Sequence, residues 1–294
     1  MTTVRAYRRL LGRAGLMLAA LALLAAAIVY GLSERALRRA WDVPLATVSV
    51  PTDAAAIAEG RRLATIRGCA NGCHGKPGIG GAVFDDDRWY GRLVAPNLGD
   101  AVRRYSDAEL ARVIRHGIKR DGSAVQVMPS DMFAQLDDAD LGAIIAFLRA
   151  EPAVEHALPA STTGPLLRWQ LAFGAPGASF AAARIDHAAP HPPKPRADDA
   201  RAWGRYLAHS TCTECHGADL RGIHEAGFHT PPLVAVAAYP LEDFRQLMRT
   251  GVALGGRTLN DLMTRVARER TSRFTDAEID ALHAYLVTLA SAEP

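Results

Sequence analysis

All four cysteines of this chain fall in two short clusters, and each cluster ends in a histidine. The first is Cys69-Ala-Asn-Gly-Cys73-His74 and the second Cys212-Thr-Glu-Cys215-His216. Two thiols on one turn, followed at once by an imidazole, are the arrangement that attaches haem c covalently. The thiols add across the two vinyl groups of the macrocycle, so their separation has to match a fixed distance. The next residue, His, then faces the iron from the proximal side. The second cluster has the Cys-x2-Cys-His spacing. The first holds one residue more, Cys-x3-Cys-His, and Asn71-Gly72 is suited to a tight turn or bulge that absorbs it. A structural zinc site needs four ligands together, and each cluster offers three at most. A thioredoxin-like redox pair needs a βαβ setting, which the sequence lacks.

The two clusters sit inside an internal repeat. Gly60, Pro96-Asn-Leu98, Tyr105, Arg115-His-Gly117, Gly122, Met128 and Leu141…Phe147 surround the first. Gly204, Pro231-Pro-Leu233, Tyr239, Arg249-Thr-Gly251, Gly256, Met263 and Ile279…Tyr285 surround the second in the same order. The offset stays between 134 and 144 residues. Two copies of one domain explain this; the period is too long for a solenoid.

Helices must position these residues. Ser106-Asp-Ala-Glu109 and Thr275-Asp-Ala-Glu278 read as capping boxes. Leu141, Ile144, Ile145 and Leu148 form one buried stripe, repeated by Ile279, Leu282, Leu286 and Leu289. Strand-like alternation is scarce, and Asp85-Asp-Asp87 reads as a solvated loop. The expected fold is all-α, with residues 41–153 as one domain, 197–294 as the second and 154–196 as a linker. Pro190-His-Pro-Pro-Lys-Pro195 predicts an extended path, whereas 165–185 is apolar for a linker and suits either a domain face or a membrane surface.

Residues 1–40 are different again. Arg5, Arg8, Arg9 and Arg13 precede Ala14–Ser33, which carries no charge. As a helix this run is about 30 Å long, enough to span a bilayer core. It is longer than a signal-peptide core and ends without a small-x-small cleavage site. It predicts an uncleaved anchor, residues 14–33, with a cytoplasmic N-terminus. The head carries seven arginines and one glutamate, leaving a slightly acidic remainder of net −3. That balance argues against nucleic acid as a partner. Hydrophobic residues make up 49% of the chain, which excludes a disordered protein.

On these motifs, both copies resemble class I cytochrome c domains, over about 53–150 and 200–290. The whole chain is similar to membrane-anchored dihaem cytochromes c of bacteria and to the cytochrome subunits of membrane-bound alcohol and sugar-acid dehydrogenases. The resemblance implies two covalently bound haem c groups, held through Cys69, Cys73, Cys212 and Cys215 with His74 and His216 on the irons. It implies that Gly60 meets Phe147 and Gly204 meets Tyr285 where the first and last helices cross. It implies that the Pro96 and Pro231 segments orient the proximal histidines through a backbone carbonyl. Met128, 54 residues after His74, and Met263, 47 after His216, match the sixth-ligand place. Met132 is the alternative in the first copy, and His224 or His229 in the second. Met248 reads as core. Trp89 and Tyr90 read either as a shield over the first haem or as packing, and His116 as a helix cap.

The function implied is electron transfer, with no bond chemistry by the polypeptide. The expected place is the bacterial inner membrane, with both haem domains in the periplasm, because haem c is attached after export. The expected partners are a dehydrogenase or quinol-oxidising complex as donor and an oxidase as acceptor. The alternatives are an obligate subunit of a membrane-bound dehydrogenase or a dihaem redox enzyme such as a peroxidase.

Overall fold

The computed structural model describes residues 2–75, 79–174, 180–225 and 228–291. Its helices are α1 (Thr2–Leu37), α2 (Ala54–Ile66), α3 (Leu98–Ala101), α4 (Asp107–His116), α5 (Ser130–Phe133), α6 (Asp138–Ala150), α7 (Pro165–Phe173), α8 (Ala200–His209), α9 (Thr213–His216), α10 (Leu241–Thr250), α11 (Asp261–Glu269) and α12 (Asp276–Ser291). Among the described residues two short antiparallel hairpins interrupt them: β1 (Ala82–Asp87) with β2 (Gly91–Ala95), and β3 (His224–Glu225) with β4 (Phe228–His229).

Each domain is built on one helix crossing, α2 over α6 in the first and α8 over α12 in the second. The crossings are close because a glycine sits at each. A Cβ on Gly60 would strike the Ala143 carbonyl and come to 3.1 Å from the Phe147 Cβ. A Cβ on Gly204 would strike the Ala281 carbonyl and come to 2.8 Å from the Tyr285 Cβ. Leu141, Ile144, Ile145 and Leu148 are buried in the first core, and Ile279, Leu282 and Leu286 in the second. Both capping boxes form: Ser106 and Glu109 close on each other at the start of α4, and Thr275 and Glu278 at the start of α12.

Three expectations change. Asp85–Asp87 is not a loop but the end of β1, where Asp86 pairs with Arg92 across the hairpin at 2.9 Å. Trp89 and Tyr90 lie on the exposed turn of that hairpin, away from the core. The apolar part of the linker forms α7, which packs along the end of α1. There the Arg168 guanidinium stacks on Tyr30 and donates to Ser33 and Glu34 at 3.0 and 3.1 Å. A second junction ties α1 down: Trp41 donates its amide to Gly122, and Val43 packs with Ile118, Ala124 and Ala182.

The domains share a contact. Ile66, at the end of α2, is buried in the second core. Arg67 donates to Ser210 at 3.1 Å and lies 3.7 Å from Asp140, which in turn accepts from Tyr206 at 2.7 Å. Arg62 bridges to Glu278. Arg62–Glu278 is an ion pair across the contact, while the Arg67–Asp140 pair lies within the first domain and is tied to the second by hydrogen bonds to Ser210 and Tyr206.

Candidate haem-attachment sites

The extra residue of the first cluster is absorbed locally. Cys69–Cys73 forms a single π-helical turn, in which Gly72 leaves helical geometry at φ −108° and ψ −110°. A wider turn of this kind takes up one inserted residue without moving the flanking chain. The second cluster is an ordinary short helix, α9, with Cys212 at its N-cap.

Beyond the cysteines the two sites match closely. His74 Nδ1 lies 2.9 Å from the Pro96 carbonyl, and His216 Nδ1 lies 2.9 Å from the Pro231 carbonyl. A carbonyl only accepts, so Nδ1 carries the proton and donates it. Each Nε2 therefore keeps its lone pair for a metal, in a ring whose rotation is fixed. Burial pushes both imidazoles below the usual histidine range, which keeps them neutral. Burial also raises the thiols, Cys69 and Cys215 to about 11 and Cys212 to about 12.

A further match lies in two glycines that motif spacing does not single out. Gly81 donates its amide to the His74 carbonyl at 2.6 Å, and Gly222 does the same to His216 at 2.8 Å. Both sit at positive φ, +85° and +91°, where a side chain is strained. They recur at nearly the same distance behind their histidines, so the repeat carried the signal.

The distal sides differ. In the first domain a cavity of about 510 Å³ opens over Cys69, Cys73 and His74. Its walls are mainly apolar, among them Leu110, Phe133, Ile144 and Leu148, and Met128 lies in the same lining. Met132 is buried in the core behind it and does not line it. Size, apolar walls and a free imidazole nitrogen fit a large flat iron macrocycle. In the second domain Met263 is half-buried on the first turn of α11, where Asn260 caps its amide. It lies outside the apolar core, whereas Met248 is inside it. His224 and His229 face each other on the exposed β3–β4 hairpin, ring centres 5.8 Å apart. His116 does more than end a helix: its Nδ1 lies 3.0 Å from that of His187, and its ring 5.6 Å from that of His191.

Comparison with known proteins agrees with this geometry. The family model for cytochrome c oxidase, cbb3-type, subunit III, matches residues 55–148, and the cytochrome c model matches 202–290. The chain carries two cytochrome c domains. Two such domains carry two covalently bound haem c groups, and a cytochrome c of this kind transfers electrons rather than catalysing bond chemistry. The fructose dehydrogenase cytochrome subunit of Gluconobacter japonicus is 25% identical over 275 residues, covering 80% of this chain and 54% of that protein. The cytochrome c subunit of the quinone alcohol dehydrogenase of Gluconacetobacter polyoxogenes is 23% identical over 274 residues, covering 79% and 55%. A nicotinate dehydrogenase subunit from Pseudomonas putida is 29% identical over 208 residues, covering 64% of this chain and 16% of that protein. The chain thus spans about half the length of these two cytochrome subunits.

Proposed function

We propose that this chain is the membrane-anchored electron-transfer subunit of a dehydrogenase, passing electrons through two haems to a respiratory acceptor. The observation that carries the reading is the pair of matched proximal sites, each with a histidine whose Nδ1 is held by a backbone carbonyl at 2.9 Å. Relatives that are themselves dehydrogenase cytochrome subunits support a dehydrogenase as donor.

In the first domain Cys69 and Cys73 would hold the haem, His74 would offer Nε2 to its iron, and Met128, in the lining of the same cavity, would be the second protein ligand. Cys212, Cys215 and His216 would do this in the second domain, with Met263 as the second protein ligand. Each haem supplies one-electron exchange at its iron. The protein holds the imidazoles neutral, fixes their rings through Pro96 and Pro231, and in the first domain surrounds the site with mainly apolar walls. These features set the potential.

Leu10–Leu37 is long and apolar enough to cross a membrane. Residues 14–33 serve as the anchor, the N-terminus is cytoplasmic and the haem domains are periplasmic, in the inner membrane of a bacterium. Arginines ahead of the apolar run favour that orientation, and attachment of haem c after export requires it.

The test is made in membranes of the producing cell, with and without the chain. Loss of respiration on one substrate class, with the others intact, is the expected result. Loss on several classes would replace the dedicated subunit by a shared carrier serving an oxidase. A protein with fewer than two haems by pyridine haemochrome would overturn the dihaem assignment itself.

A further inference from the structure

The cavity of the first domain is not closed by that domain alone. Glu214 and Arg270, both from the second domain, line it beside Cys69 and Cys73. Arg270 caps the C-terminal end of α11 and reaches across the interface. Its guanidinium occupies the space that a Cβ on Gly68 or on Gly72 would need. The same guanidinium lies 3.6 Å from the Glu214 carboxylate. Glu214 is the residue immediately before Cys215, inside the second attachment loop. One step away, Asn71 donates its side-chain amide to the Glu269 carbonyl at 2.8 Å. Asn71 and Gly72 are the segment in which the first loop is longer than the second.

These contacts place one arginine side chain between the two attachment loops, touching the first and paired with a carboxylate of the second. We propose that Arg270, balanced by Glu214, is a positioning residue shared by the two haem sites, which sets both potentials together. Gly72, in the lengthened stretch, and Gly68, just before it, form its seat: a Cβ at either would overlap the guanidinium. The inference rests on the reading that both loops hold haem. A fixed positive charge beside a haem disfavours the ferric state, which carries one more positive charge, and so raises the potential. The effect is stronger in a site walled off from water. A charge lying between two loops acts on both haems. The same arrangement brings the two attachment loops to a single side chain.

The experiment uses the full-length holoprotein in detergent. Haem is counted first by pyridine haemochrome, and the two midpoint potentials are then measured by optical redox titration with low-temperature electron paramagnetic resonance. R270Q removes the charge and should lower both potentials. R270K keeps the charge and should stay closer to the parent. E214Q removes the opposing charge and should raise both. Opposite signs for R270Q and E214Q are the decisive result, because mere loosening of the interface would move both variants the same way. Two loaded haems with unchanged potentials in R270Q, or a shift confined to one haem, would overturn the proposal. If R270Q fails to load, unchanged potentials in E214Q overturn it instead. One haem per parent chain would defeat the underlying reading, and the haem count reveals that before any potential is measured.

Discussion

The first and second domains agree on one side of the proposed haem and part company on the other. Behind each histidine the same set recurs: a prolyl-segment carbonyl at 2.9 Å, a glycine amide on the histidine carbonyl, and a glycine-pinned helix crossing. In front, the first domain has a deep cavity with Met128 in its lining, while the second offers Met263 on the half-buried start of a helix. The proximal side is built from backbone groups and covalent attachment, which tolerate little change. The distal side rests on one long, flexible side chain, and there the two copies have diverged.

The largest expected effect tests the likeness. Replacing both cysteines of either cluster by alanine should remove one haem of the two and leave the other's spectrum intact. Loss of both from the Cys69/Cys73 variant alone would mean that the second site depends on the first.

Gly60→Ala and Gly204→Ala come next. Neither Cβ fits without parting the helices, so each should destabilise its own domain by about 3 kcal/mol. Denaturant unfolding followed at the haem absorbance checks this. A cost in one domain only would break the parallel.

Acid should separate the copies. His116 occupies the place that Thr250 holds in the repeat, and burial together with His187 and His191 pushes it down to about 4. The unfolded chain takes up that proton first, near pH 6.5. The stabilisation is therefore complete above about pH 6.5 and is lost as pH falls towards 4, by at most about 3 kcal/mol. Stability of the first domain measured against pH should show this loss, and H116T should flatten the curve.

The methionines give the smallest change in stability and the sharpest contrast in spectrum. Met128→Leu and Met132→Leu should each cost less than about 1.5 kcal/mol, being nearly volume-conserving. Only Met128→Leu should abolish the methionine–iron charge-transfer band of the first haem and lower its potential. Met263→Leu asks the same of the second haem, and an unchanged spectrum there would remove Met263 as ligand.

Much of this molecule is legible in the residues. The attachment clusters, the repeat, both capping boxes and both buried stripes depend on local spacing, which a sequence displays directly. The family likeness adds the contacts of Gly60 with Phe147 and of Gly204 with Tyr285, which join residues far apart in the chain. Other features are hidden because their partners are distant and obey no period. Arg270 lies about 200 residues from Gly72. Ile66 ends a helix of one domain yet is buried in the core of the other. The β1–β2 hairpin is concealed by its acid run, which reads as loop until Arg92 stands opposite Asp86. The apolar composition of 165–185 suits two surfaces equally, and an Arg168–Tyr30 stack settles where α7 lies.

Leu37, the last residue of α1, is part of the wall of the first cavity. With α7 clamped along the same helix end and Trp41 bonded to Gly122, the proposed anchor works as a post rather than a leash. A domain on a leash meets its partners in every orientation and wastes most encounters. A domain on a post presents one face at one height above the lipid, so the angular search is largely complete before a partner arrives. Cutting the chain after Leu37 to make it soluble would release that face and open a seam in the first cavity at the same stroke.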